Sequence, residues 1–220
     1  MRLEIVADVV CPWCFIGKRR LERALAMRPG VEIELSWRAF QLNPDMPPDG
    51  MPRDRYLQLK FGARNSERAL AALAAAGRAE GIAFAFDRIR RAPNTLRAHQ
   101  LIRLAGEIGC EEAVVEFLFS AYFVEGQDIG DTNVLVDIGR ECGLDPAATR
   151  RALGRDTALQ EARAENNRAR RLGINAVPCF VFDGGYAISG AQEPEMFLPL
   201  FDLASQAASR GVADAIAQRA

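Results

Sequence analysis

The chain has no run approaching the roughly 18 consecutive apolar residues that a membrane span requires, so no transmembrane segment is expected. It also has almost no net charge: 28 Lys+Arg stand against 29 Asp+Glu, a formal −1 over 220 residues. Without an overall basic field, nucleic acid and anionic membrane are set aside as partners, in favour of small molecules or proteins. Histidine is reduced to a single residue, His99, and neither repeats nor low-complexity tracts occur. Met1 is followed almost at once by "LEIVADVV", with no basic segment, long apolar core or small-residue cleavage site. The sequence is therefore read as having no secretory signal, and the expected location is cytoplasmic, where thiols stay reduced.

Cysteine is present but not in the pattern of a disulfide scaffold. The count is five, an odd number, and Cys110, Cys142 and Cys179 are widely scattered. Cys11 and Cys14 are different, because "DVVCPWCFIG" places them three positions apart directly after a strand-like run. A zinc site usually takes four ligands, so this pair would have to recruit distant cysteines or His99, and no metal is expected.

What is there in quantity is hydrophobic patterning, 49% of residues, enough for a sizeable core. "LEIVADVV" reads as a strand buried on both faces. Residues 15–27 then place Phe15, Ile16, Leu21, Ala24 and Leu25 on one helical face, with Lys18, Arg19, Arg20, Glu22 and Arg23 on the other. Residues 31–40 alternate as a second strand, completing a βαβ unit. Residues 41–53 carry Pro44, Pro47, Pro48, Pro52 and Gly50 and read as a linker. From about Tyr56 to Leu172 five or six helices are expected, with starts at Asn94-Thr95, Asp131-Thr132 and Asp145-Pro146 and ends at Gly77, Gly81, Gly109, Gly143 and Gly173. Beyond Gly173, "VPCFVFDGGYAIS" reads as a hairpin turning at Gly184-Gly185. A closing helix near Glu193-Pro194 follows, with an Ala-rich tail expected to fray.

The pair acquires chemistry from this context. A helix beginning within residues 11–14 puts Cys11 at its N-terminus, where unpaired N–H groups and the macrodipole favour a thiolate. Such placement lowers thiol pKa values from about 8.5 into a range of roughly 3.5–7.5, which makes an exposed sulfur nucleophilic; Cys14, one turn further in, is the natural resolving partner. Pro12 suits the first helical turn, since its missing N–H would have no partner there. Trp13 is expected to sit exposed beside the attacking sulfur, able to pack on a substrate's apolar surface.

The ordered set of "CPWC" after the first strand, "NTLRAHQL" (94–101), "DIGDTNVL" (128–135) and "VPCFVFDGGYAISGAQ" (177–192) resembles the DsbA-like branch of the thioredoxin superfamily across essentially the whole chain. Within it, the likeness is to the cytoplasmic FrnE-type disulfide oxidoreductases. The resemblance implies an α/β thioredoxin-like fold with a large α-helical domain inserted: residues 1–45 and 173–220 form the thioredoxin-like domain and 46–172 the insertion. It also implies that Cys11 attacks, that Cys14 resolves, and that Pro178 is cis and faces the sulfurs. Val177 would contact substrate through its backbone. No bound cofactor is implied beyond the Cys11–Cys14 redox pair, with glutathione as a co-substrate. Partners would be protein disulfides or small-molecule thiols, and a homodimer is compatible with the pattern.

Two departures stand out. Periplasmic DsbA proteins carry histidine where this chain has Trp13, so a weaker oxidant than DsbA, at about −120 mV, is expected. Cys179 is unusual beside the proline, and reads either as a core strand residue or as a third thiol able to pair with the active cysteines. His99 reads as packing at the domain interface, or as a proton-transfer group. Arg88, Arg90 and Arg91 read as a solvated face, and Cys110 and Cys142 as structural thiols. The competing reading is a glutathione-dependent isomerase or transferase, since 2-hydroxychromene-2-carboxylate isomerases and kappa-class glutathione transferases share the architecture. Those relatives typically have serine where Cys11 stands. A non-catalytic chaperone-like module is the third reading.

Overall fold

Leu3, Ile5, Val6 and Ala7 are buried and make β1 (Arg2–Ala7) one of the two inner strands of a four-stranded sheet. In the computed structural model, which describes residues 1–62, 66–183 and 185–203, the strand order is β2-β1-β5-β6. β2 (Glu34–Ala39) runs parallel to β1, with Ile5 opposite Trp37. β5 (Cys179–Phe182) runs antiparallel on the other side, with Val6 opposite Cys179, and β6 (Tyr186–Ser189) closes the edge as a hairpin. The parallel β1–β2 pair requires a crossover, and α1 (Pro12–Ala26) supplies it. The helical turn 194–197 leads into helical residues 198–203 at the end of the described chain. Gly184 and the Ala-rich tail lie outside the described residues.

Between β2 and β5 the chain forms α2 (Arg53–Phe61), α3 (Ser66–Ala79), α4 (Leu96–Gly106), α5 (Glu111–Ser120), α6 (Thr132–Glu141), α7 (Pro146–Leu153) and α8 (Asp156–Arg171). These seven exceed the five or six expected, in part because a break at Gly154-Arg155 divides α7 from α8. Local starts are where the sequence puts them: Asp131 accepts from the Asn133 N–H and Asp145 from the Ala148 N–H, satisfying first-turn donors. Gly77 is not a helix end. It lies inside α3, and a Cβ there would stand 2.4 Å from the Phe84 ring, so the glycine makes room for an aromatic.

The proline-rich stretch holds more than a linker. Met51–Pro52 (β3) pairs antiparallel with Arg91–Ala92 (β4), a two-residue ladder that can carry a proline because it has free edges. The second strand is also shorter than its alternating pattern, starting at Glu34 rather than Val31.

One hydrophobic cluster runs unbroken from the sheet into the inserted helices. Phe15 of α1 stacks on Phe119 of α5 with ring centroids 4.9 Å apart, and Phe123 stacks on both. Lys18, expected on the solvent face of α1, is instead buried, with its ammonium 2.8 Å from Glu112, 3.0 Å from Glu116 and also paired with Glu22. The carboxylates of α5 draw the cation into the seam and hold it charged, raising its pKa against the cost of burial. Among the described residues no helix is long and apolar enough to cross a membrane.

Candidate active site

The strand ends at Ala7, and a short loop delivers Cys11 to the N-cap of α1 in extended conformation (φ −92°, ψ 111°). Its N–H donates to the Asp8 carbonyl at 2.9 Å, while its own carbonyl accepts from Cys14 N–H at 3.0 Å. Pro12 occupies the first helical turn, where it leaves no intrahelical bond unmade. Trp13 follows, 43% exposed.

The Cys11 thiol donates to the Val177 carbonyl at 3.7 Å, joining the start of α1 to the residue before the cis Val177–Pro178 bond. Pro178 packs on α1 at Gly17, where an added Cβ would come within 2.8 Å of its ring. Cys14 lies behind. Burial pushes its thiol pKa well up, and a hydrogen bond to Cys11 adds to the shift; the Asp8 backbone opposes it, and the nearby Asp8 charge reinforces it.

The expectation of an openly exposed attacking sulfur needs correction. Cys11 is only 4% exposed, with its sulfur against the Val177 carbonyl. It opens instead onto a cavity of about 520 Å³ between residues 10–13, 42–43 and 175–177 on one side and Leu57, Leu73, Phe86 and Phe123 among others on the other. Pro12, Trp13 and Val177 line the same cavity.

His99 is not among the residues that line it. It is buried on α4, with Nε2 3.1 Å from the Phe40 carbonyl oxygen and 3.5 Å from Asp8 Oδ1, where the inserted helices meet the sheet. It faces a second cavity of about 310 Å³ on the other side, beside Trp37. Cys179 is buried in β5, where Ser189 Oγ donates to its sulfur at 3.8 Å and burial pushes its pKa up. It too stands apart from the lining of the Cys11 cavity. Cys110 and Cys142 are half-buried at helix ends, while Arg88 and Arg90 are exposed.

Several residues at the site carry no mark in the sequence reading. Asp8 is 1% exposed; its Oδ2 accepts the Leu42 N–H at 2.8 Å and its Oδ1 has no hydrogen-bond partner among the described residues. An acidic residue interrupting "LEIVADVV" just before the pair was the available signal. Arg53 and Tyr122 also line the cavity, and each is brought there only by tertiary packing.

A thiol pair of this geometry, one sulfur at a helix N-terminus facing a cavity and one sealed behind it, defines a thioredoxin-type site. The chain belongs to the DSBA-like thioredoxin domain family, whose match spans residues 2–201. It is 28% identical over 202 residues to YwbO of Bacillus subtilis (strain 168), covering 90% of this chain and 94% of that protein. A probable DsbA oxidoreductase from Streptomyces coelicolor superposes with a TM-score of 0.83 at 34% identity, covering 94% of this chain and 90% of its own. At 20% identity, the cytosolic disulfide reductase DsbM from Pseudomonas aeruginosa, solved with GSH, shares the fold at a TM-score of 0.61, over 97% of this chain and 100% of that one. A 2-hydroxychromene-2-carboxylate isomerase does so at 0.69 and 17% identity, over 97% and 98%.

Proposed function

We propose that this chain is a thiol–disulfide oxidoreductase working through its CPWC pair. The observation that carries the reading is the pairing of a cavity-facing Cys11 at the N-cap of α1 with a sealed Cys14 one turn behind it. Cys11 as thiolate attacks one sulfur of a substrate disulfide, forming a mixed disulfide and releasing the other sulfur as thiolate. Cys14 then attacks Cys11, releases the second substrate thiolate, and leaves the Cys11–Cys14 disulfide. Two electrons pass from protein to substrate, and the two protons given up by the cysteines go to the released thiolates or to water. The reverse sequence oxidises a dithiol.

In this reading Pro12 holds the first turn, Trp13 packs on substrate at the mouth, and Val177, fixed by the cis Pro178 behind it, forms the wall against which substrate lies. His99 packs where the helices meet the sheet, and Cys179 is a core residue. The protein works in the cytoplasm, with residues 46–172 as a helical domain over the thioredoxin-like part and glutathione as the co-substrate that resets the pair. The related architecture of a cytosolic disulfide reductase solved with GSH supports that choice.

A second reading, a glutathione-dependent isomerase or transferase, draws support from the mainly apolar cavity and the isomerase relative. It has no use for Cys14. The two are separated by Cys11→Ser and Cys14→Ser variants assayed for disulfide exchange with glutathione disulfide and with insulin. Loss of turnover in the first, and a trapped mixed disulfide at Cys11 in the second, are the expected results. Exchange that survives Cys11→Ser would sink the redox mechanism.

A further inference from the structure

Arg53 is a buried cation, 8% exposed, among the residues that line the Cys11 cavity. Its backbone is pinned by the β3–β4 ladder, its N–H donating to the Arg90 carbonyl at 3.0 Å. Its guanidinium lies over the Phe86 ring, 5.8 Å from the centroid, near enough to the Tyr122 hydroxyl to act on its pKa. That hydroxyl in turn donates to the Arg91 carbonyl at 3.3 Å. Among the described residues no carboxylate stands within salt-bridge distance of Arg53, although Arg20, Arg23 and Arg38 each have one. Buried charges are normally paired, and a guanidinium has five donors in a fork suited to a carboxylate.

The cavity wall has the same sign throughout. Its charged residues are Arg53 and Lys60, with no Asp or Glu among them, in a protein whose overall charge is −1. The remaining surface is mainly apolar, and the volume of about 520 Å³ falls within the roughly 300–1,000 Å³ of small-molecule sites. An extended polypeptide backbone, uncharged along its length, offers nothing to pair with the Arg53 guanidinium.

We infer that the cavity takes a small disulfide with an apolar, aromatic-sized body and a carboxylate, the carboxylate pairing with Arg53 while a sulfur meets Cys11. This rests on the oxidoreductase reading and specifies its substrate class. Cys11 thiolate attacks R–S–S–R, forming Cys11–S–S–R and releasing R–S⁻. Cys14 then displaces the second R–S⁻, so the disulfide gains the two electrons that the protein dithiol loses.

The test uses two probes with the pre-reduced full chain: dithiobis(nitrobenzoate), an anionic aryl disulfide, and dithiodipyridine, an uncharged one. Second-order rates of oxidation of the pair are measured in the wild type, Arg53→Gln and Arg53→Lys. A hydrogen bond to a charged group contributes about 1.5–3 kcal/mol, so the rate ratio, anionic over neutral, should fall roughly ten- to hundredfold in Arg53→Gln. Arg53→Lys should restore part of it. A measurement on the wild type guards against a variant that misfolds: nitrobenzoate should slow oxidation by dithiodipyridine competitively, and nitrobenzamide should not. An unchanged ratio, or equal inhibition by the two ring compounds, overturns the inference and leaves the oxidoreductase reading standing. If neither disulfide oxidises the pair, both fall.

Discussion

The sulfur of Cys11 and the carbonyl oxygen of Val177 stand 3.7 Å apart across 166 residues of chain. One belongs to the loop leaving the first strand, the other to the loop entering β5, and β1 and β5 are hydrogen-bonded neighbours in the sheet. The sheet therefore sets their separation, and the long helical excursion between them does not have to. Two residues placed at adjacent strand ends keep their relative geometry whatever the length of chain between them.

Replacing Trp13 by histidine should make the pair more oxidising. The indole ring offers no charge to the sulfurs, whereas an imidazole at the same place can donate a hydrogen bond to a Cys11 thiolate. Such a bond contributes about 1.5–3 kcal/mol to the reduced form, which converts to roughly 30–60 mV for a two-electron couple. Equilibration with glutathione, read by thiol alkylation and mass shift, gives the potential. The wild type should lie below about −120 mV and Trp13→His above the wild type; a wild type at or above that value would contradict the expectation.

A methyl group at Gly17 should disturb the site more than the fold. An alanine Cβ would meet the Pro178 ring at 2.8 Å and the Phe180 ring at 3.3 Å, and the proline ring is too stiff to swing aside. Overpacking of this kind costs about 1–3 kcal/mol, partly offset by up to about 1 kcal/mol of helix propensity. The Pro178 loop should yield by a few tenths of an ångström, and exchange should slow by about tenfold. Urea denaturation beside exchange kinetics would separate the two effects; kinetics within twofold of the wild type would show the loop accommodating the methyl.

The reduced protein should lose stability at alkaline pH more steeply than the oxidised one. Burial raises the Cys14 thiol in the folded state, so above the unfolded-chain value of about 8.5 the folded form holds a proton that the unfolded form has released. Stability from this group is whole below about pH 8.5 and falls, by at most about 1.4 kcal/mol per pH unit, as pH climbs toward the raised folded value. The disulfide has no such proton. Thermal unfolding of both redox forms between pH 7 and 10 should show the gap widening in favour of the oxidised protein, and parallel curves would contradict the assignment.

What the sequence made legible was local. Asp131 and Asp145 cap helices through bonds spanning two and three residues, and Cys11, Pro12 and Cys14 state a helix start within four positions. Lys18 shows the opposite case. Its helical position is solvent-facing by periodicity, and only the arrival of Glu112 and Glu116 on α5, more than ninety residues later, turns that face inward. Arg53 is illegible for the same reason: its neighbours Phe86 and Tyr122 come from separate segments, and nothing in "MPRDRY" announces a lining residue. The place of Cys11 at a helix start was legible from its neighbours in the chain, while its burial depended on residues far from it.

Phe15 lies next to Cys14 in sequence, and its ring is sandwiched with those of Phe119 and Phe123 in a cluster shared by sheet and helices. Swinging the two layers apart like a hinge would bring those rings into water, at a cost of roughly 1.5–3 kcal/mol for each one uncovered. For the oxidoreductase proposed above, substrate would then have to enter and leave past Trp13 while the two layers stay together.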